Sequence, residues 1–233
     1  MTSFILKLIA IIGMTSNHIA HVFSEQLPDW LYYILMPLGG LTFPIMAYLM
    51  NQGYHYSRNF KRYLGRLFIF AVISLAPFII AFNYFALNIL FTLALGLIII
   101  HLDKHMQNRI CFYLIFIASI ILSGVFDWGF IGVPMMLLYH RYEDNKKEQI
   151  WRPLLCIWIF SLIQGVVGVI LSDIDFPIRE NIAQLLYAFV GSTATIPILL
   201  KHNGKQGPKL KYFFYAYYPA HLTLLIAIRY ICE

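Results

Sequence analysis

Two histidines stand inside apolar runs, where a titratable group is costly and marks a functional candidate: His18 in the first run and His221 in the last. A neutral imidazole there acts as a general base toward an amine or a hydroxyl. Lys7 precedes His18 by eleven residues, which is about three helical turns, so the two side chains share one face roughly 16 Å apart. His221 follows Lys211 by ten residues, about 15 Å of rise, and the two imidazoles are expected at one depth. Asn17 beside His18, and Asn88 near the start of its run, belong to the same layer. The alternative for each histidine is an interhelical hydrogen bond without chemistry, worth about 0.6–2 kcal/mol. The other histidines fall in polar links (His55, His101, His105, His140, His202) or at the edge of the first run (His21).

A second constellation is Tyr54, Arg58, Arg62 and Arg66, spaced by four, with Lys61 and Tyr63 interleaved. A helical link would stack the three guanidiniums on one face. Guanidinium groups grip phosphate bidentately, which suits an anionic, phosphate-bearing cosubstrate. The alternative is membrane topology with anionic-lipid binding. Arg66 separates the two readings, because it sits about one turn inside the apolar stretch Leu67–Phe82, deeper than topology requires.

The elements that must position these residues follow from composition. Of 233 residues, 60% are hydrophobic and only 12% charged, against about 25% charged in a soluble domain. A soluble enzyme is excluded. Apolar runs fall at about 4–23, 30–50, 63–82, 84–100, 110–124, 126–139, 151–171, 182–200 and 211–231. They predict an all-α, polytopic transmembrane helical bundle of about nine helices in a single integral-membrane domain over 1–233. The weakest pair is 110–139: each run offers only ~23 Å of helix against a ~30 Å core, so seven helices plus a re-entrant hairpin at Ser123-Gly124 and Asp127-Trp128-Gly129 is the alternative. Pro37, Gly39-Gly40 and Pro44 are expected to kink the second run. Trp30, Tyr32, Tyr33, Trp128 and Trp151 suit interfacial belts.

The net charge of +6 would suggest nucleic acid in a soluble chain; here it reads as topology. All seventeen basic residues except Arg179 and Arg229 fall at Lys7 or in the links 51–66, 101–109, 141–152 and 201–211. Acids mark the alternating links: Glu25 and Asp29, Asp127, then Asp173, Asp175 and Glu180. This predicts an integral membrane protein with its N-terminus in the cytoplasm and its C-terminus outside. The N-terminus lacks a basic n-region and a cleavage site and reads as a retained helix. Cys111, Cys156 and Cys232 form no CxxC pair and indicate neither a disulfide framework nor a zinc site, and no metal ligands are assigned.

Several blocks in order resemble the TraX family of small polytopic membrane proteins associated with N-terminal acetylation of pilin. They are Leu6-Lys7-Leu8-Ile9-Ala10 with Met14 and Asn17-His18-Ile19, Gly39-Gly40-Leu41-Thr42-Phe43-Pro44, Gly53-Tyr54, Arg62-Tyr63 with Arg66-Leu67, Leu87-Asn88-Ile89 and Tyr218-Pro219-Ala220-His221. Lys7 and His18 with ten residues between them also look like the basic-x10-His motif of the acyltransferase-3 family, which takes acetyl from cytoplasmic acetyl-CoA. By that resemblance, His18 is base or transient acyl carrier, and Lys7, Arg62 and Arg66, with Arg58 and Tyr63, face the CoA. Asn17 and His221 join the catalytic group, and Tyr54, Asn88 and Tyr218 line the pocket. One departure is Asn17, where the family pattern commonly has Asp. The expected function is acetyl transfer to a peptide N-terminus, small molecule or glycan in or across the bilayer. The alternatives are a proton-coupled transporter using both histidines, and a noncatalytic assembly factor for a surface structure.

Overall fold

A computed structural model describes residues 1–171, 178–208 and 210–232, and for 168–171 and Lys211 the backbone alone. Asp173, Asp175 and Lys209 therefore lie outside the described residues, as does the side chain of Lys211. The chain is all-α. In order it forms α1 (Ser3–Val22), α2 (Asp29–Leu38), α3 (Thr42–Tyr56), α4 (Phe60–Ile73), α5 (Leu75–Phe82), α6 (Ile89–His105), α7 (Arg109–Leu122), α8 (Gly129–Arg141), α9 (Lys146–Leu171), α10 (Ile178–Leu185), α11 (Thr195–Leu200) and α12 (Lys211–Cys232). All nine predicted runs are helical. Among the described residues, four helical segments are long and apolar enough to cross a membrane: Ser3–Val22, Asp29–Tyr56, Lys146–Val167 and Ile178–Leu200; α4 and α5, bent by 43°, pass only as a pair. The protein is a membrane protein.

Asparagine starts helices repeatedly. The side-chain oxygens of Asn59, Asn88, Asn108 and Asn145 accept backbone N–H bonds from Arg62, Leu90, Cys111 and Lys147, filling donors that a helix leaves open at its start, for about 1 kcal/mol each. The α4–α5 bend has two local causes. The Ser74 hydroxyl donates back to the Phe70 carbonyl at 2.6 Å, and Pro77 removes a donor in the first turn of α5. The run holding Pro37 and Gly39-Gly40 is interrupted only by a 3-10 turn, Gly39–Leu41, within one apolar segment. The weak 110–139 region is a helical hairpin whose arms are 14 and 13 residues, about 20 Å each and shorter than the hydrocarbon core. Trp128 (φ 67°) and Gly129 (φ 22°) form its tip.

The chain divides into two compact units: Met1–Met46 with Ile150–Lys209, and Ala47–Gln149 with Leu210–Glu233. In the first, the N-terminal strand of chain bonds to the 201–206 link (Met1 nitrogen to Lys201 carbonyl, 2.6 Å; Ser3 hydroxyl to His202 Nε2, 3.1 Å). At its other end Arg179 donates to the Ser24 and Leu27 carbonyls at 2.9 Å, pairs with Asp29 and covers the Tyr32 ring. In the second unit, Arg229 donates to the Ala81 and Ile80 carbonyls at 3.1 Å, closing the C-terminus of α5. The two basic residues that break the charge rule thus each bind helix-end or loop carbonyls.

Candidate functional site

In the first unit the site residues lie on α1. His18 is 8% exposed, within a 20-residue apolar helix. Asn17 is held: its side-chain amide donates to the Met36 carbonyl at 3.2 Å and meets the Met36 sulfur at 3.4 Å. The backbone comes this close because Gly39 has no side chain; a Cβ there would fall 2.5 Å from the Asn17 Cβ. One turn of π-helix, Leu186–Gly191, presses on the same segment. A Cβ on Gly191 would sit 1.9 Å from the Pro37 carbonyl oxygen, and one on Gly40 2.5 Å from that of Tyr187. Ser192, at the end of the π turn, accepts from the Trp158 indole at 3.1 Å and donates back to Ala188. Sequence reasoning missed this π segment; its only signal is Gly191-Ser192 in an otherwise bulky run. Asn17 in place of a carboxylate is a neutral amide bound to backbone, so it orients α1 and supplies no charge.

In the second unit, the four-residue ladder breaks. α3 ends at Tyr56 and α4 begins at Phe60, because Asn59 turns its side chain onto the Arg62 N–H at 2.9 Å while the Ser57 hydroxyl takes the Asn59 carbonyl. Both are bonds that compete with helix. Arg62 and Arg66 remain one turn apart on α4, whereas Arg58 lies in the non-helical link. Arg66 is half-buried beside the Tyr63 ring (5.9 Å) and hydrogen-bonded to Tyr215, and its Nε is shielded without a hydrogen-bond partner. Tyr63 is buried and donates to the Met50 sulfur at 3.0 Å. Asn88 caps α6 and donates to the Ala71 carbonyl at 2.8 Å, so both ends of its amide are engaged with backbone.

His221 is 6% exposed. Its Nδ1 lies 2.9 Å from the Tyr217 carbonyl; a carbonyl only accepts, so Nδ1 carries the proton and Nε2 is the basic nitrogen. Tyr217 stacks on the ring at 5.1 Å, and the buried Tyr218 tilts against it at 5.6 Å. Tyr54 is instead placed among histidines. Its hydroxyl meets His101 Nδ1 at 3.0 Å, and its ring meets the edges of His55 and His140. Nearby, Asp103 takes a bidentate pair from Arg141 (2.9 and 3.1 Å) and one bond from Arg109 (3.0 Å). Burial alone would raise the Asp103 carboxyl, but these arginines outweigh it and hold it below its ordinary value. His55, His140 and Glu143, unassigned by spacing, converge here with ligand atoms within 4.8 Å of one another.

The model of the TraX protein family matches residues 3–229. The chain belongs to the TraX family. A curated relative, "Probable fimbrial assembly protein FimC, serogroup H1" of Dichelobacter nodosus, is 32% identical over 250 aligned positions covering 98% of this chain and 96% of the relative. No solved structure matches this TraX-family protein.

Proposed function

We propose that this TraX-family protein transfers acetyl from acetyl-CoA to an amine or hydroxyl acceptor during assembly of a fimbrial or similar surface structure. The observation that carries this reading is His18, a buried imidazole in an apolar helix long enough to span a membrane, following an asparagine fixed on backbone. In the step, the acceptor nitrogen or oxygen attacks the thioester carbonyl while His18 takes its proton. The carbon–sulfur bond then breaks, and the proton leaves with the CoA thiolate. Arg62 and Arg66, with Lys7, Arg58 and Tyr63, are assigned to the CoA phosphates; Arg66, with its shielded Nε, supports that role best. His221, basic at Nε2, is the second proton carrier, and Tyr218, packed against it, is assigned to the acceptor; Tyr54, bonded to His101, and Asn88, engaged with backbone at both ends of its amide, are left out of that assignment. The basic links are assigned to the cytoplasmic side, where acetyl-CoA is made, placing the N-terminus inside and the C-terminus outside.

The test is purified protein in proteoliposomes with acetyl-CoA and, in turn, a peptide amine, a small amine and a sugar hydroxyl. Acceptor-dependent release of CoA thiol, with the acetyl mass on the acceptor, is expected. The relative's fimbrial-assembly name favours one second reading, a noncatalytic assembly factor. No thiol release with any acceptor, from protein that restores assembly in cells, would favour it.

A further inference from the structure

His55, His140 and Glu143 come from two links far apart in sequence, yet meet in the second unit. His55 lies in the last turn of α3, and His140 and Glu143 flank the turn after α8, closed by the Glu143 N–H on the His140 carbonyl at 3.3 Å. One carboxylate oxygen of Glu143 faces both rings, at 2.5 Å from His55 Nε2 and 3.3 Å from His140 Nδ1. The rings stack with centroids 5.7 Å apart. Two imidazolium ions so close would repel each other, whereas one cation between neutral rings and a carboxylate satisfies all three. His140 Nδ1 is shielded from solvent, with the Glu143 carboxylate the group it faces.

We propose that His55, His140 and Glu143 form a binding site for a divalent transition-metal ion, Zn2+ by ligand chemistry. Two imidazole nitrogens and a carboxylate oxygen suit zinc. Bonds of about 2.0–2.2 Å in tetrahedral geometry place ligand atoms about 3.4 Å apart. The His140–Glu143 distance of 3.3 Å already meets this, and the 2.5 Å His55–Glu143 pair must open. It can, because His55 and Glu143 are exposed. That exposure also leaves a fourth position for water. The surroundings are arranged for the site. Tyr54, buried and bonded to His101, sets its ring against both imidazoles, and the charge of neighbouring Arg141 is met by Asp103. An ion here fastens the end of α3 to the α8–α9 turn. The proposal is independent of acetyl transfer.

The test is calorimetric titration of Zn2+ into full-length protein, freed of chelator and of any polyhistidine tag, with Co2+ absorption reporting coordination. One equivalent is expected, with tetrahedral Co2+ bands. Outer-shell losses weaken such sites by 10–100-fold, so His55→Ala and Glu143→Gln should each weaken binding at least about tenfold, while His105→Ala leaves it unchanged. Unfolding of metal-free His55→Ala at the wild-type temperature separates a lost ligand from a lost fold. Absence of binding to the wild type, binding retained in both ligand variants, or equal loss in His105→Ala would each overturn the proposal.

Discussion

The two units are held together by different means, and glycine shows it. In the first, segments meet where side chains are missing: Gly13, Gly39, Gly40 and Gly191 each lie so close to another segment that a Cβ would come within 2.5 Å of it. At Gly13, Gly40 and Gly191 the neighbour is backbone, which suits a setting where packing rather than hydrophobicity drives association. In the second, the close glycines Gly53 and Gly96 face side chains, Tyr63 and Met136, and Gly65 faces open space, with nothing within 4 Å of where its Cβ would stand. The links of this unit are fastened by polar side chains: Asp103 with Arg141 and Arg109, and the histidines around Tyr54. His18 therefore sits in a unit whose precision comes from close backbone approach, and the arginines in one whose link ends are set by charge.

Substitutions can break that contrast. Gly191→Ala should be the most damaging, by about 3 kcal/mol or more, because the new methyl would meet the Pro37 carbonyl and neither backbone can yield easily; thermal unfolding in detergent measures it. Asp103→Asn should cost about 1–2 kcal/mol at neutral pH, discounted for the partly exposed arginines. Its folded carboxyl is held low, so the wild-type advantage is present above the ordinary carboxylate value of about 4 and disappears as pH falls through the lower folded one. Unfolding of both proteins between neutral and acid pH checks the sign. Gly65→Ala should reverse the glycine result and stabilise by up to about 1 kcal/mol, since it places a better helix former inside α4 with no clash. Equal effects at Gly65 and Gly191 would erase the distinction between the units.

Hydrophobic runs and charge were enough to show an all-helical membrane protein, but not the breaks that divide nine runs into the twelve described α-helices, such as the α4–α5 bend. The two basic residues outside the charge pattern, Arg179 and Arg229, bind carbonyls through local geometry that a charge count does not contain. What escaped the sequence depends on distant neighbours. The local exception is Asn59, which ends the arginine ladder by capping α4 through the Arg62 N–H; spacing by four is blind to that choice. The π turn at Leu186–Gly191 is shaped by Pro37 and Gly40, about 150 residues away in the chain. The His55/His140/Glu143 group joins two links far apart in sequence, and its convergence is visible only in the fold. Asn88 was legible as buried, but its bond to the Ala71 carbonyl was not, because Ala71 lies on another helix.

The central claim is that His18 moves the acceptor proton in acetyl transfer, and single-turnover acetylation by purified His18→Ala, beside Asn17→Ala and wild type, tests it. General-base loss costs about 10²–10⁴ in rate, so His18→Ala should fall by that factor with CoA binding retained, and Asn17→Ala by much less. A His18→Ala protein that transfers acetyl at the wild-type rate would contradict the account.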